Sequence, residues 1–179
     1  MKRLLSRDTL LLSLALLALA QVLVFGNRWR NRDGPADSWL HAGDDVSALR
    51  FRTPSGRSGS LAAGEPTVLL VFDSQCPHCR AVAPAWKAWI GAAPPGLRVV
   101  GVSTEAPETA AAFARDQGWG VEVWRVEART GSPEHALTSR TPWVFVLDGE
   151  GRILKEGNGS RLAELTSGVS DLVAEAGVR

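Results

Sequence analysis

Apolar runs of two kinds divide this chain. The first, TLLLSLALLALAQVLVFG from Thr9 to Gly26, holds 18 residues without a charge. At about 1.5 Å per residue, a helix of that length reaches roughly 27 Å, close to the thickness of a bilayer's hydrocarbon. It offers no polar face to water, which argues against a helix buried in the domain itself. The later runs are shorter and rich in β-formers. PTVLLVF (66–72) is a continuous apolar run, the mark of a strand buried on both faces, LRVVGVS (97–103) reads as a second buried strand, and VEVWRV (121–126) predicts another strand. ALRFR and GSL around the turn-rich TPSGRSG predict a short hairpin, and PWVFVL and RILKEG around DGEG predict a second.

Between the strands the period changes. CRAVAPAWKAWIGAA reads as a helix with Val82, Trp86, Trp89 and Ile90 near one face. APETAAAFARDQG reads as another, with Glu108 in its first turn and Gly118 after its end. EARTGSPEHALTSR shows no period and predicts irregular chain, whereas SRLAELTSGVSDLVAEAG predicts one closing amphipathic helix. The order is β-α-β-α-β followed by β-β-α, without internal repeats. Alternation of this kind predicts an α/β fold, with a parallel core, helices on both faces and an antiparallel edge from the closing hairpin. Sites in such sheets form beyond the carboxyl ends of the strands.

Charge places the domain relative to the first run. Lys2, Arg3 and Arg7 precede it, which keeps the N-terminus in the cytoplasm and exports the domain beyond the run. Ala18-Leu19-Ala20 has the small-x-small pattern of a signal-peptide cleavage site, but QVLVF prolongs the run past it and favours an uncleaved anchor. Residues 1–27 are thus read as the anchor, 28–45 as a polar juxtamembrane linker with Trp29 at the membrane interface, and 46–179 as the exported domain. The formal charge of +1 falls to −1 once Lys2, Arg3, Arg7 and Asp8 are set aside with the anchor. A near-neutral domain without a dense basic stretch is a poor nucleic-acid binder.

The candidate chemistry lies in DSQCPHCR (73–80), which contains both cysteines of the chain, just beyond the end of the first buried strand. Zinc would need four ligands, and besides Cys76 and Cys79 only His41, His78 and His135 are available, without paired spacing. Covalent haem attachment requires a histidine directly after the second cysteine, and Arg80 stands there. No cofactor and no metal is therefore expected. A purely structural disulfide over two intervening residues removes little chain entropy. A redox pair uses the position: with Cys76 at a helix N-terminus, backbone N–H groups and the helix dipole stabilise its thiolate, while Cys79, one turn on, is shielded and resolves. Pro77 and His78 lie between them, and an imidazole near the thiolate would stabilise it further and push the pair toward oxidising power.

VFDSQCPHCRAVAP resembles the active-site segment of thioredoxin-fold oxidoreductases, including the basic Arg80 and the later Pro84. Thr141-Pro142, before WVFVLDGEGRIL, resembles the family's cis-proline loop, which lies against the active-site disulfide. With the early hairpin, RVVGVSTE and a β-α insertion, residues 46 to about 176 are similar to the membrane-tethered TlpA/ResA-like redoxins of bacterial envelopes. The resemblance implies a thioredoxin fold, with a central mixed sheet, helices on both faces, an N-terminal β-hairpin and a β-α insertion, preceded by one transmembrane helix. It implies catalysis by Cys76, Cys79, His78 and Pro77, and substrate binding by Thr141, Pro142 and Trp143. The implied partners are dithiols and disulfides of exported proteins and a membrane electron-transfer partner, in the maturation of cytochrome c or another exported enzyme.

The sequence also departs from the family. Leu70 and Val82 occupy the places of two proton-handling carboxylates, Gln75 replaces the usual aromatic, and Pro77-His78 is the dipeptide of strongly oxidising DsbA proteins. Asp73 and Glu105 read as solvated loop acids. A copper-handling protein using Cys76, Cys79 and His78 or His135 as soft ligands is one alternative, and a peroxide-reducing redoxin is another. Trp86 and Trp89 are expected to pack in or near the core, and Trp143 either packs there or shapes a substrate groove.

Overall fold

A computed structural model describes residue 21 and residues 39–177. The predicted anchor, apart from Gln21, and Trp29 lie outside the described residues. Among those described, no helix is long and apolar enough to cross a membrane.

The strand TVLLV explains the centre of the fold. As β3 (Thr67–Val71) it lies between β4 (Arg98–Ser103), parallel to it, and β6 (Trp143–Leu147), antiparallel, so that Leu70 faces Gly101 on one side and Val144 on the other. Every residue of β3 is buried. Val68 and Leu70 enter one core and Leu69 and Val71 the other, which is why the run is apolar without alternation. The short hairpin β1 (Phe51–Arg52) and β2 (Ser58–Gly59), with β5 (Glu122–Val126) and β7 (Ile153–Asn158), complete a mixed sheet in the order β2-β1-β5-β4-β3-β6-β7.

The two faces are covered unequally. On one lie α1 (Pro77–Gly91) and α2 (Pro107–Asp116), with the C-terminal helices. Helix α1 buries Cys79, Ala83 and Trp86, spaced as one stripe of a 3.6-residue period, while Val82, Trp89 and Ile90 pack alongside half-buried. Phe72, Phe113, Trp86 and Trp119 form an aromatic cluster, with ring centroids 5.2 to 5.6 Å apart. On the other face Val46, Leu49, Phe51 and Leu61 of the N-terminal segment close over β3, β4 and β6, with Leu137. Residues 43–46 are tied to the start of β7, where Gly43 N–H donates to Ile153 C=O at 2.8 Å and Ile153 N–H to Asp44 C=O at 2.9 Å.

Two expected secondary-structure elements differ from the structure. The stretch read as irregular contains α3 (Pro133–Thr138), with proline in its first turn and the Ser132 hydroxyl accepting from His135 N–H at 3.2 Å. The single closing helix is broken into a 3-10 turn (Gly159–Arg161), α4 (Leu162–Leu165) and α5 (Val169–Ala176). Thr166 returns its hydroxyl to Leu162 C=O at 2.7 Å, and Gly168, at φ +85°, turns the chain in a conformation that β-carbons disfavour. Leu162, Leu165 and Val169 still reach the same core, so the amphipathic pattern survives the break.

Candidate active site

Cys76 is the N-cap of α1, in an extended conformation, with Pro77 in the first turn, where a missing N–H costs nothing. The reversal that leads to it is held by short polar contacts. Cys76 N–H donates to Asp73 C=O at 3.2 Å, and Gln75 N–H donates to the Asp73 carboxylate at 2.7 Å. Arg80 Nε donates back to Ser74 C=O at 3.1 Å.

Beneath the reversal sits Glu105. Its carboxylate accepts from Ser74 N–H at 2.8 Å, Ser74 Oγ at 2.5 Å and Ser103 Oγ at 3.2 Å. Half-buried and three-fold bonded, it is a brace between the cysteine loop and the end of β4, not the solvated acid that its loop position suggested. Hydrogen bonds to a charged acceptor are worth roughly 1.5–3 kcal/mol each, so Glu105→Ala is expected to cost about 2–3 kcal/mol in urea unfolding. Retention of full stability would show that water replaces the carboxylate.

The two thiols are free and occupy unlike environments. For Cys76, half-buried, desolvation opposes the thiolate, but it is outweighed by the backbone N–H of Cys79, hydrogen bonds from the Thr141 and Cys79 side chains and the backbone N–H of His78. The net effect lowers its pKa below that of an ordinary thiol. Cys79 is fully buried, and that burial, joined by the Cys76 sulfur, pushes its pKa up to about 12. At neutral pH a thiol of pKa about 12 is ionised to about one part in 10⁵. Iodoacetamide is therefore expected to modify Cys76 alone at neutral pH, with a rate midpoint below that of a free thiol. Peptide mass spectrometry across a pH series reads the outcome, and labelling of Cys79 first would reverse the two roles.

Opposite the sulfur lies the loop before β6. The Thr141–Pro142 peptide bond is cis, as the family resemblance implies, and Cys76 Sγ lies 3.7 Å from Thr141 C=O. Pro142 is buried, its carbonyl accepting from Gly159 N–H at 3.0 Å, while Trp86 Nε1 donates to Gly159 C=O at 2.8 Å. A β-carbon at Gly159 would lie 2.5 Å from Trp86 Cζ2 and 2.8 Å from Pro142 Cβ, so only glycine fits. Trp86 and Gly159 thus join the cysteine helix to the proline loop, a link invisible in the sequence because the three positions are far apart.

Trp143 is half-buried and donates its Nε1–H to Glu156 at 2.7 Å, with the Arg140 guanidinium 4.6 Å above its ring and 3.3 Å from that of Trp39. His78 is exposed, and its ring makes no hydrogen bond or ion pair among the described residues; what reaches the Cys76 sulfur from this residue is its backbone. The structure thus brings together Cys76, Cys79, Thr141, Pro142 and the main chain of His78. Leu70 is fully buried among apolar side chains, so no carboxylate lies at that position under the pair. Among the described residues, no three His, Cys, Asp or Glu side chains form a group able to hold a metal. Neither of the two larger clefts is lined by either cysteine.

The fold of this chain is also found in solved structures. The thioredoxin domain of a thiol-disulfide oxidoreductase from Bacteroides vulgatus matches with a TM-score of 0.56 at 21% identity, over 75% of this chain and 99% of that one. The chain has a thioredoxin-like fold. A peroxiredoxin-like protein from Aquifex aeolicus matches this thioredoxin-like chain with a TM-score of 0.58 at 19% identity, over 75% of this chain and 88% of the other. A thioredoxin-like protein from Porphyromonas gingivalis does so at 0.51 and 24% identity, over 76% and 95%. No family model matches the chain, and no curated protein does.

Proposed function

We propose that this protein is a thiol:disulfide oxidoreductase of the bacterial envelope, tethered by its N-terminal segment and akin to the TlpA/ResA-like redoxins. The observation that carries the reading is the separation of the two thiols. Cys76, partly exposed at a helix start, has its pKa lowered, whereas Cys79 is sealed in the core with its pKa raised. A pair built this way has an attacking and a resolving member. The Cys76 thiolate attacks one sulfur of a partner's disulfide, forming a mixed disulfide and releasing the other partner sulfur as a thiolate. Cys79, losing its proton, then attacks Cys76, closing the internal disulfide and freeing the second partner thiolate, so the partner gains the two electrons that the pair loses. The reverse sequence oxidises a dithiol.

The partner is read as an extended chain of an exported protein, lying along Thr141 and Trp143. Cys76 is partly exposed at the helix start, where an extended polypeptide can reach its sulfur. Maturation of cytochrome c or of another exported disulfide-bearing enzyme is the role that the family resemblance supports, with a membrane electron carrier restoring the pair. The test is the reduction potential of the full-length chain in detergent, equilibrated against glutathione. A value near about −270 mV assigns a reductant, and one near about −120 mV an oxidant. No exchange with glutathione under either poise would end the proposal.

A further inference from the structure

A second convergence of charge lies away from the cysteines. Where β1 pairs with β5, a cleft of about 460 Å³ is lined by Arg50, Arg52, Arg125 and Arg129 together with Glu127 and Glu134. The strand register sets Arg52 directly across from Arg125, and like charges in that relation destabilise a sheet. The two carboxylates relieve this only in part. Glu127 lies 3.4 Å from Arg52 Nε, in an exposed pair worth little in water, and Glu134 accepts from the backbone N–H of Arg50 at 3.5 Å.

Arg125 is left short of a partner. Its Nε is buried and has no hydrogen-bond partner among the described residues. A buried donor of a charged group without an acceptor is costly, which adds to the strain of the opposed Arg52 and Arg125 charges. The four guanidinium groups, set against two carboxylates, leave two positive charges in the cleft.

We propose that this cleft binds a dianionic oxyanion of the phosphate or sulfate class, held chiefly by Arg125 and Arg52. The planar fork of a guanidinium matches two oxygens of such an ion. An oxyanion there neutralises the opposed pair and balances the excess charge of the cleft. The cleft shares no lining residue with the thiol site. It opens at the carboxyl end of β5, two strands across the sheet from β3, which leads into the cysteines. The two sites are therefore testable independently.

The ion's source is either a free inorganic anion or a phosphate group carried on a larger molecule, and two probes separate them. Full-length protein in non-ionic detergent is titrated calorimetrically with inorganic phosphate and with glycerol 3-phosphate, against chloride at matched ionic strength. Saturable one-to-one binding beyond chloride is expected, with a raised unfolding temperature. Arg125→Gln and, separately, Arg52→Gln should each weaken it about tenfold, the scale of one lost charge-assisted hydrogen bond. In chloride alone, Arg125→Gln should unfold no earlier than the parent, because it removes one of two opposed charges, and this shows that the variant is folded. Cys76→Ser should bind as the parent does. Preference for inorganic phosphate identifies a free ion, and equal or tighter binding of the ester identifies a carried phosphate. Binding no stronger than chloride for both probes, or binding unchanged in both arginine variants, overturns the site.

Discussion

Cys76→Ser is expected to lower catalysed exchange with a disulfide-bonded protein by at least about 10³-fold, the order of loss seen when an enzyme's attacking group is removed. The remaining thiol cannot take over. Cys79 is fully buried and its pKa is raised to about 12, so it is neither accessible nor ionised at neutral pH. Cys79→Ser should behave differently: the first attack still occurs, but nothing resolves it, and a mixed disulfide through Cys76 accumulates. Non-reducing electrophoresis with mass spectrometry reads both outcomes. Equal activity in both single variants would remove the pair from the chemistry, and an adduct on Cys79 in the Cys76→Ser protein would exchange the two roles.

The positions that make this asymmetry were legible in the sequence to different degrees. That the cysteines follow a buried strand and open a helix could be read directly, because a strand paired on both sides is apolar without alternation and ends at a turn. The partners of that site were less visible. Glu105 reads as a loop acid because Ser74, which it holds, is 31 positions away. His78 is adjacent to both sulfurs in sequence, yet successive helix positions diverge by about 100°, so Cys79 turns inward while the imidazole faces water. Helix α3 escaped because six residues make fewer than two turns and place only Leu137 in the core. The opposite error arose at the C-terminus. There Leu162, Leu165 and Val169 keep one core-facing stripe through the break, which is set by the Thr166 hydroxyl and Gly168 rather than by any change in hydrophobic period.

Trp86→Ala should be the most damaging single change to stability, costing about 3–5 kcal/mol in urea unfolding. The side chain is fully buried, and its ring lies 5.2 Å from that of Trp119, so truncation leaves a cavity that this aromatic neighbour cannot fill without moving. Stability alone does not show that Trp86 positions the site, and Trp86→Phe separates the two effects. Phenylalanine keeps much of the bulk but cannot donate to Gly159 C=O, removing a buried hydrogen bond worth roughly 0.5–1.5 kcal/mol. Gly159 in turn donates to Pro142 C=O, so a shift at Gly159 is passed to the loop facing Cys76. The folded Phe variant should therefore show slower exchange and an altered pH midpoint for alkylation of Cys76. If its unfolding is weakened while both of those readouts stay at parental values, Trp86 packs the core without placing the proline loop, and the loop's position is set from the strand side by β6 and β7.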